Sequence, residues 1–396
     1  MTDITQSKSP RTSLINDPKV RGIAYQVILV VVLALLVYEA TTNAIENLRR
    51  ARIASGFDFL STTAGFDVNQ TLIPFSSSGG STYGEAFIVG LLNTLLVAAI
   101  GIVLATILGF IVGVARLSSN WMVAKLAKVY VEAIRNIPLL LQLFIWYNAV
   151  LKALPNPRQS YEIAGGFFLN NRGLFAPEPV LAPGAGIVIG ATVLGIVGAF
   201  AFRFWARRRQ ERTGQQAPVG AVALALIVGL PLLAFLITGR PISLEYPELR
   251  GFNFTGGVQV IPEFVALLIG LTTYTAAFIA EIVRAGILAV SRGQTEAAHA
   301  LGLREGQTLK LVIIPQAMRV IVPPLTSQYL NLTKNSSLAV AIGYPDLAQV
   351  FMGTVLNQTG QAVEVIAITM AVYLAISLFT SLVMNIYNRR AAIVER

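Results

Sequence analysis

Long apolar segments constrain this chain more than any other feature. Crossing a hydrocarbon core of about 30 Å takes roughly 20 apolar residues in a helix. Candidate spans lie near 22–40, 86–115, 126–151, 185–204, 218–238, 258–289, 317–340 and 363–387. Hydrophobic residues make up 55% of the 396 residues and charged residues 13%, so a water-soluble protein is excluded because its surface would be too apolar. The sequence therefore predicts an all-α integral membrane protein with about eight transmembrane helices.

Two of these spans contain residues that a straight membrane helix rarely holds. The third begins with an amphipathic stretch, and the seventh contains Pro323-Pro324 together with Asn331 and Lys334. Proline removes a backbone donor and clashes with the preceding turn. Irregular backbone at membrane depth is tolerated where it is buried in protein or lines a cavity. We therefore expect both spans to be broken or partly re-entrant.

Lysines and arginines divide unequally between the two alternating sets of connections. One set, which includes both termini and the connection after the sixth span, holds 20 of the 30 basic residues, and the other set holds eight. Because cytoplasmic connections carry the excess of Lys and Arg, both termini are predicted to be cytoplasmic. The first apolar run, 22–38, is longer than the core of a usual signal peptide and lacks a convincing cleavage site, so we expect a retained anchor.

The connection between the sixth and seventh spans contains a short polar segment, EAAHALGLREGQTLKLVIIP, from Glu296 to Pro315. It opens with Glu296-Ala297-Ala298 and carries Gly302, where a helix can end. It closes on Pro315, which is expected to stop a helix. The pattern predicts two short cytoplasmic helices at an angle, a docking element rather than an active site, and we call this segment (Glu296–Pro315) the coupling loop. The alternative is a polar loop that only joins two spans.

This spacing resembles the EAA motif of membrane subunits of ABC importers with the type I fold, and blocks near 86–152 and 258–387 resemble the polar amino-acid uptake branch. The resemblance implies that the loop docks on one of two cytoplasmic ATP-binding subunits, which themselves bind ATP and Mg²⁺. It also implies a second, homologous permease or a second copy, a periplasmic amino-acid-binding protein and a location in the bacterial inner membrane. The segment between the two blocks is expected to be an inserted helix pair, as in the general L-amino-acid type of Gram-negative bacteria.

On this resemblance the chain divides into four parts. They are a cytoplasmic tail (1–21), a transmembrane anchor with a periplasmic loop (22–84), a type-1 permease domain (85–388, with the insertion at about 153–257) and a cytoplasmic C-terminal tail (389–396). The inserted helices lack interior charges, so we expect them at the lipid-facing periphery. Two glycine pairs have the GxxxG spacing that permits close helix approach, Gly109 with Gly113 and Gly186 with Gly190.

Polar residues inside spans are the candidates for a substrate path, because desolvation costs several kcal/mol unless they face a partner or a wet cavity. In the third span, Arg135, Leu139 and Gln142 are predicted to share a helix face by their offsets of four and seven. The block resembles the family's Arg-x-x-Pro-Leu-Leu-x-Gln-Leu-Phe motif. Alternatively, Glu132 and Arg135 pair at i,i+3 and play no part in transport.

The sixth span places Tyr274 two turns before Glu281, and Glu281 three residues before Arg284. The run resembles the family's Tyr-Thr-Ala and Glu-x-x-Arg-Ala-Gly pattern, which leads into the coupling loop. An ion pair beside a phenol is suited to line a translocation path. Equally, Glu281 and Arg284 brace the helix against its neighbour.

The seventh span places Asn331, Lys334 and Asn335 on one helical stripe, and its sequence resembles the family's Lys-x-Ser-Ser-Leu signature. A free amino acid presents both charges, so a site at mid-membrane needs a cation or helix N-termini for the carboxylate and acceptors for the ammonium. We assign the carboxylate to Lys334, with Asn331, Asn335, Ser336 and Ser337 as hydrogen-bonding partners. The alternative is that Lys334 extends to the membrane interface.

Several other chemistries are excluded. The chain has no cysteine and a single histidine, His299, so a metal site or a catalytic triad is not expected. It has no GxxxxGK[ST] phosphate loop and should not bind ATP itself. The basic run 207–209 is expected to lie beside anionic lipid and not to bind nucleic acid. The resemblance to ABC importer subunits implies a non-enzymatic permease subunit. The rivals are an ion-gradient-driven secondary transporter that uses Glu281, Arg284 and Lys334 as its relay, and a membrane scaffold.

Overall fold

Long apolar helices form the body of the structure, a computed structural model that describes residues 18–50, 56–163 and 165–391. Within those residues, seven helices are long and apolar enough to cross a membrane, and the count reaches eight if the bent pair Trp121–Asn136 and Leu139–Leu151 is one span. The predicted all-α membrane fold and its helix count are confirmed. Most of the predicted N-terminal tail and residues 392–396 of the C-terminal tail lie outside the described residues.

The helices are α1 (Pro18–Arg50), α2 (Tyr83–Ala115), α3 (Trp121–Asn136), α4 (Leu139–Phe144), α5 (Ala185–Thr213), α6 (Val219–Leu224), α7 (Leu230–Ile237), α8 (Pro262–Leu288), α9 (Arg292–Ala300), α10 (Glu305–Thr308), α11 (Ile314–Asn335), α12 (Leu356–Thr359) and α13 (Ala362–Ala391). Wider π-helical turns cover Ile145–Leu151, Ala225–Gly229, Leu309–Ile313 and Ala348–Val355. A 3₁₀ turn, Ser336–Ile342, continues α11.

The pairing of α2 with α8 forms the centre of the core, and glycines on α2 allow the two helices to approach closely. A Cβ atom on Gly109 would lie 2.5 Å from Cγ2 of Ile279, and one on Gly113 would lie 2.7 Å from Cβ of Val283. Both side chains on α8 are buried. The packing role predicted for this glycine pair is therefore confirmed.

The other predicted pair, Gly186 with Gly190, does not mediate close packing in the described structure, because no atom lies within 4 Å of a Cβ added at either position. A glycine further along α5 has that role instead. A Cβ on Gly195 would clash with the carbonyl oxygen of Leu226. The GxxxG spacing reports only that two glycines share a face, and the position of the partner helix decides whether that face is used.

Eight short strands, which the sequence patterns do not predict, flank the inserted helices along the chain, four before α5 and four after α7. They are β1 (Tyr161–Ile163), β2 (Phe167–Asn170), β3 (Gly173–Ala176), β4 (Glu178–Leu181), β5 (Ile242–Glu245), β6 (Glu248–Arg250), β7 (Asn253–Thr255) and β8 (Val258–Val260). One antiparallel sheet has the order β1-β2-β3-β8, and β4-β5 and β6-β7 form two separate pairs. Strands of three or four residues are too short for an alternating pattern to be recognised.

The inserted helices form a hairpin in which α5 packs against α6 and α7. No residue in the most apolar window of the α6–α7 span, 219–237, is buried. Below the hairpin, β4 and β5 pair from Leu181 with Ile242 to Glu178 with Glu245. The insertion is thus a helical hairpin on a two-stranded stalk, exposed on its outer side as expected for a peripheral element.

The predicted interruption of the seventh span at Pro323-Pro324 is wrong, since α11 continues through both prolines. Both prolines are exposed on the outer side of the helix, so their rings do not disturb the packed face. A proline ring also holds φ close to the helical value, and membrane helices tolerate the loss of single backbone bonds. The third span, by contrast, is broken as expected, with a bend of 105° between α3 and α4.

The segment before α2 packs against the π-helical turn Ala348–Val355 and the start of α13. Phe59 is buried, and the Tyr83 hydroxyl donates to Oε1 of Gln358 at 2.9 Å. Thr82 caps α2, accepting from the Glu85 N–H at 3.2 Å while the Glu85 carboxylate accepts from the Thr82 N–H at 2.9 Å. These contacts hold the segment on the later part of the chain. Helix α1 extends to Arg50, ten residues beyond the predicted end of the first span.

Candidate translocation path and coupling loop

The polar loop after α8 begins with a short helix that ends at a glycine. Just after the end of α9, the Leu303 N–H donates to the Ala298 carbonyl at 3.1 Å and the Gly302 N–H donates to the His299 carbonyl at 2.9 Å. Gly302 has a φ of +79°, the left-handed conformation that closes such a turn. The Schellman geometry explains why a glycine stands here, and it turns the chain so that α10 starts three residues later.

The expectation that Pro315 stops the helix is wrong. The π-helical turn Leu309–Ile313 joins α10 to α11, and Pro315 occupies the first turn of α11. The first turn of an α-helix does not use its N–H groups within the helix, so a proline is accommodated there. The wider turn shifts the hydrogen-bonding register just before the proline, as the Ile314 N–H donates to the Leu309 carbonyl. The loop therefore has one bend, at Gly302.

The coupling loop presents much of its surface to solvent. Glu296 and Ala297 are exposed, whereas Ala298 is 3% exposed and faces the protein. Leu301, at the bend, is 82% exposed. A leucine this exposed on a polar loop leaves an apolar surface that no other described residue covers.

A small polar pocket of about 260 Å³ lies between α8 and α11. Its lining residues are Tyr274, Thr275, Phe278, Gln328, Asn331 and Asn335. All six side chains are uncharged, and three are amides that both donate and accept hydrogen bonds. The structure thus brings together three residues that the sequence analysis singled out, Tyr274, Asn331 and Asn335.

The remaining candidates of the seventh span lie beside this pocket rather than in it. Lys334 is exposed on the last turn of α11. The Ser336 hydroxyl donates to the Thr333 carbonyl and the Ser337 hydroxyl donates to the Lys334 carbonyl, each at 2.7 Å. These two serines therefore use their protons on their own helix and keep only acceptor capacity for a ligand.

The predicted common face of Arg135, Leu139 and Gln142 does not exist, because the helix breaks between them. The residue before a proline avoids the helical region, and Ile137 is extended, with φ −99° and ψ 125°. Gln142 is 4% exposed, and its Nε2 donates to the carbonyls of Ile134 at 2.9 Å and Ile137 at 2.8 Å. Gln142 thus closes the break by satisfying carbonyls that α3 leaves free at its end.

A cluster of charges lies where α2, α3 and α8 approach the coupling loop. The Glu281 carboxylate accepts hydrogen bonds from Arg284 and from Arg116, and its Oε2 lies 4.0 Å from the Arg135 guanidinium. Arg135 also lies over the Phe278 ring, with 5.0 Å between its Cζ and the ring centroid. One carboxylate thus contacts three guanidinium groups, one each from α3 and α8 and one from the residue that follows α2. The predicted Glu281–Arg284 pair is present.

The alternative pairing of Glu132 with Arg135 is not formed in the described structure, where Glu132 lies 3.6 Å from Lys128 instead. Tyr274 does not join Glu281 either. Its ring packs on Phe278 at 5.0 Å between centroids, and Phe278 separates the polar pocket from the charge cluster. The sixth span therefore contributes to two sites, an uncharged one and a charged one.

A buried carboxylate, Asp346, lies between α2 and α13, away from the charge cluster around Glu281. Asp346 is fully buried and accepts from the Tyr373 hydroxyl at 3.0 Å, while the neighbouring Leu347 N–H donates to Oγ1 of Thr94 at 3.0 Å. These bonds tie α2 and α13 to the turn that precedes Ala348–Val355. Buried polar groups joined in this way fix one arrangement of the helices.

Sequence reasoning missed three of these residues. Gln328 lies three residues before Asn331, so the helical stripe of α11 extended by one turn contains it. Asp346 stands alone in an apolar stretch, which is itself a signal of a buried partner. Arg116 is one of the 20 basic residues that indicate topology, and spacing along the chain does not show that it meets Glu281, 165 residues away. Within the described residues, no cluster of three His, Cys, Asp or Glu side chains could hold a metal ion.

Comparison with known proteins shows the family. The family described as binding-protein-dependent transport system inner membrane component matches residues 217–393. The general L-amino acid transport system permease protein AapQ of Rhizobium johnstonii is 52% identical over 384 residues, which cover 97% of this chain and 95% of that protein. The putative amino-acid ABC transporter permease protein YhdX of Escherichia coli is 55% identical over 383 residues, 96% of each chain.

A third relative, the glutamate/glutamine/aspartate/asparagine transport system permease protein BztB of Rhodobacter capsulatus, is 46% identical over 415 aligned positions, covering 97% of this chain and 96% of that protein. Identity of this extent favours an ABC importer permease over a secondary transporter driven by an ion gradient. It also agrees with the resemblance carried by the coupling loop. The chain belongs to the family of membrane permeases of amino-acid ABC importers.

Proposed function

We propose that this permease forms half of the translocation path of an ATP-driven L-amino-acid importer in the bacterial inner membrane, with both termini in the cytoplasm. In this proposal α9 docks on one of two cytoplasmic ATP-binding subunits, and a periplasmic binding protein delivers the amino acid. The chain itself catalyses no reaction and binds no cofactor, since ATP and Mg²⁺ belong to the partner subunits.

The main support for this proposal is the connection of α8 to α11 through α9. The two helices that line the polar pocket, α8 and α11, are the same two that the coupling loop connects. A force applied to α9 therefore acts on both walls of the pocket. The exposed Leu301 at the bend supplies an apolar contact for a docking partner.

A second permease subunit is supported by the polar edge of α11. Asn331 and Lys334 are exposed within the seventh span. A charged side chain facing lipid at this depth costs several kcal/mol, so such residues face a protein partner or a water-filled path. We infer that a homologous permease, or a second copy of this chain, covers this edge and that the path runs between the two.

The substrate class follows from the chemistry of the pocket together with its relatives. The uncharged amides of Gln328, Asn331 and Asn335 can both donate to a carboxylate and accept from an ammonium. Lys334, one turn from Asn331, adds a cation for the carboxylate. A site of this kind recognises the parts common to all L-amino acids and leaves side-chain selection to the binding protein.

The first prediction tests the docking site. In the complex co-expressed with its partner subunits, Leu301→Gln is expected to weaken retention of the ATP-binding subunits by about ten-fold or more, since burying a leucine contributes about 1.5–3 kcal/mol. ATP-driven amino-acid uptake in proteoliposomes should fall in parallel. Co-purification and uptake are the two measurements.

Ile237→Gln is the matched control, because Ile237 is 84% exposed and Leu301 is 82% exposed. This residue lies at the end of the inserted hairpin, away from the coupling loop. Full subunit retention and uptake in Leu301→Gln, with both variants equally folded, would contradict the docking of α9 on the ATPase.

A further inference from the structure

An apolar cleft of about 840 Å³ lies where α2 ends and α3 begins, outside the proposed path. The apolar side chains that line it include Phe110, Ile111, Val114, Val123, Ile287 and Leu309. Its dimensions exceed what one side chain can fill, and its lining offers almost no hydrogen-bonding groups. Chemistry of this kind suits a hydrocarbon chain.

A basic pocket of about 610 Å³ adjoins the apolar cleft, and Leu117 lines both. Its charged lining residues are Arg116, Lys125, Lys128, Glu132 and Arg284. The two arginines are already paired with Glu281, and Lys128 lies 3.6 Å from Glu132. Among the described residues Lys125 has no acidic partner, so the pocket has an excess of positive charge.

We propose that these two adjoining spaces form one binding site for an anionic phospholipid, with an acyl chain in the apolar cleft and the phosphate beside Lys125 and Lys128. Trp121 lines the basic pocket and is 75% exposed, which suits an indole at the level of lipid headgroups. Lysines beside an anionic membrane surface attract its lipids. A soluble anion would use only the basic half and leave the apolar cleft open.

The orientation of this site rests on the proposed function, which places these helix ends at the inner leaflet. The end of α8 that borders the apolar cleft is also the end that leads into the coupling loop, because α9 begins four residues after α8 ends. Binding of a lipid to the purified complex depends on neither orientation nor transport. A failure of the lipid site and a failure of the proposed function can therefore be told apart.

Native mass spectrometry of the detergent-purified transport complex tests the site, with dioleoyl phosphatidylglycerol and dioleoyl phosphatidylcholine as probes. The double variant Lys125→Gln/Lys128→Gln is expected to bind phosphatidylglycerol about ten-fold more weakly, and phosphatidylcholine as before. Val114→Trp, which occupies part of the apolar cleft and keeps both lysines, should also weaken phosphatidylglycerol binding.

The double variant Arg240→Gln/Arg250→Gln is the matched control, since it removes two exposed charges from the segment between α7 and β7, outside both spaces, and one of the two is paired with an acidic residue as Lys128 is. It should bind both lipids like the wild type. Glycerol 1-phosphate, which carries the phosphate without acyl chains, should not displace phosphatidylglycerol at millimolar concentration. Equal phosphatidylglycerol binding by the wild type and the lysine variant, or displacement by glycerol 1-phosphate, would overturn the proposal.

Discussion

Gly302 shows how a single residue determines the shape of the coupling loop. Its φ of +79° is available to glycine at little cost, whereas a left-handed conformation costs other residues roughly 1–2 kcal/mol. The position was predictable from sequence because the turn is local and the glycine is its signature. The hydrogen-bonding role of Gln142 was not predictable, since it depends on where the third span breaks. Pro138 signals that break, but the two carbonyls that Gln142 binds follow only from the folded geometry.

The prediction at this scale concerns Gly302→Ala. The substitution should strain the end of α9 and change the direction in which α10 leaves the bend, so that ATP hydrolysis continues while amino-acid uptake falls several-fold. ATPase activity and uptake measured on the same proteoliposomes would show this uncoupling. Gly306→Ala is the control, because Gly306 lies in α10 with no atom within 4 Å of an added Cβ. Normal uptake by Gly302→Ala would mean that the bend has no part in coupling.

The helices themselves were largely predictable, because apolar length is a property of the sequence alone. The bends and breaks of the helices were only partly predictable. The 105° bend of the third span follows from Pro138, whereas Pro323 and Pro324 leave α11 unbroken. The difference is one of position: Ile137 adopts the extended conformation that a following proline favours, and the two later prolines lie on the exposed side of a helix that other contacts hold.

Close packing between α2 and α8 gives a prediction at the scale of elements. Gly113→Ala would place a methyl group 2.7 Å from Cβ of Val283 and 2.8 Å from the Ala280 carbonyl oxygen. Overpacking of this kind costs roughly 1–3 kcal/mol, so the apparent melting temperature in detergent should fall by several degrees. Size-exclusion chromatography of samples heated to a series of temperatures measures this melting temperature.

Gly190→Ala has the same chemistry on α5, and nothing lies within 4 Å of its added Cβ. That variant should melt with the wild type. A Gly113→Ala protein as stable as Gly190→Ala would show that α2 and α8 can separate without loss, contrary to the packing described.

The orientation of the whole molecule is the widest claim, and the absence of cysteine from the sequence makes it directly testable. Ser78→Cys lies in the segment before α2 and Ala300→Cys in the coupling loop. In intact cells with a permeabilised outer membrane, a membrane-impermeant maleimide should label Ser78→Cys alone. Ala300→Cys should react only after the inner membrane is disrupted. The opposite pattern would reverse the proposed orientation and remove the docking site from the cytoplasm.

At this scale the sequence indicated the class of protein and the family but not the spatial groupings. The separation of Tyr274 from Glu281 by Phe278, and the meeting of Arg116 with Glu281, are set by how α2, α3 and α8 pack. Spacing along one helix cannot report contacts between helices. The insertion was recognised as two helices, whereas its stalk of paired strands depends on residues 60 or more positions apart.

The continuity of the chain through Pro315 has a mechanical consequence. From Glu305 to Asn331 no loop interrupts the helical backbone, a distance of about 40 Å at 1.5 Å per residue. Because the segment is one continuous rod, tilting its Glu305 end by a small angle would move the amide of Asn331 sideways. The size of that sideways displacement would then be set by the length of the helix rather than by a flexible hinge.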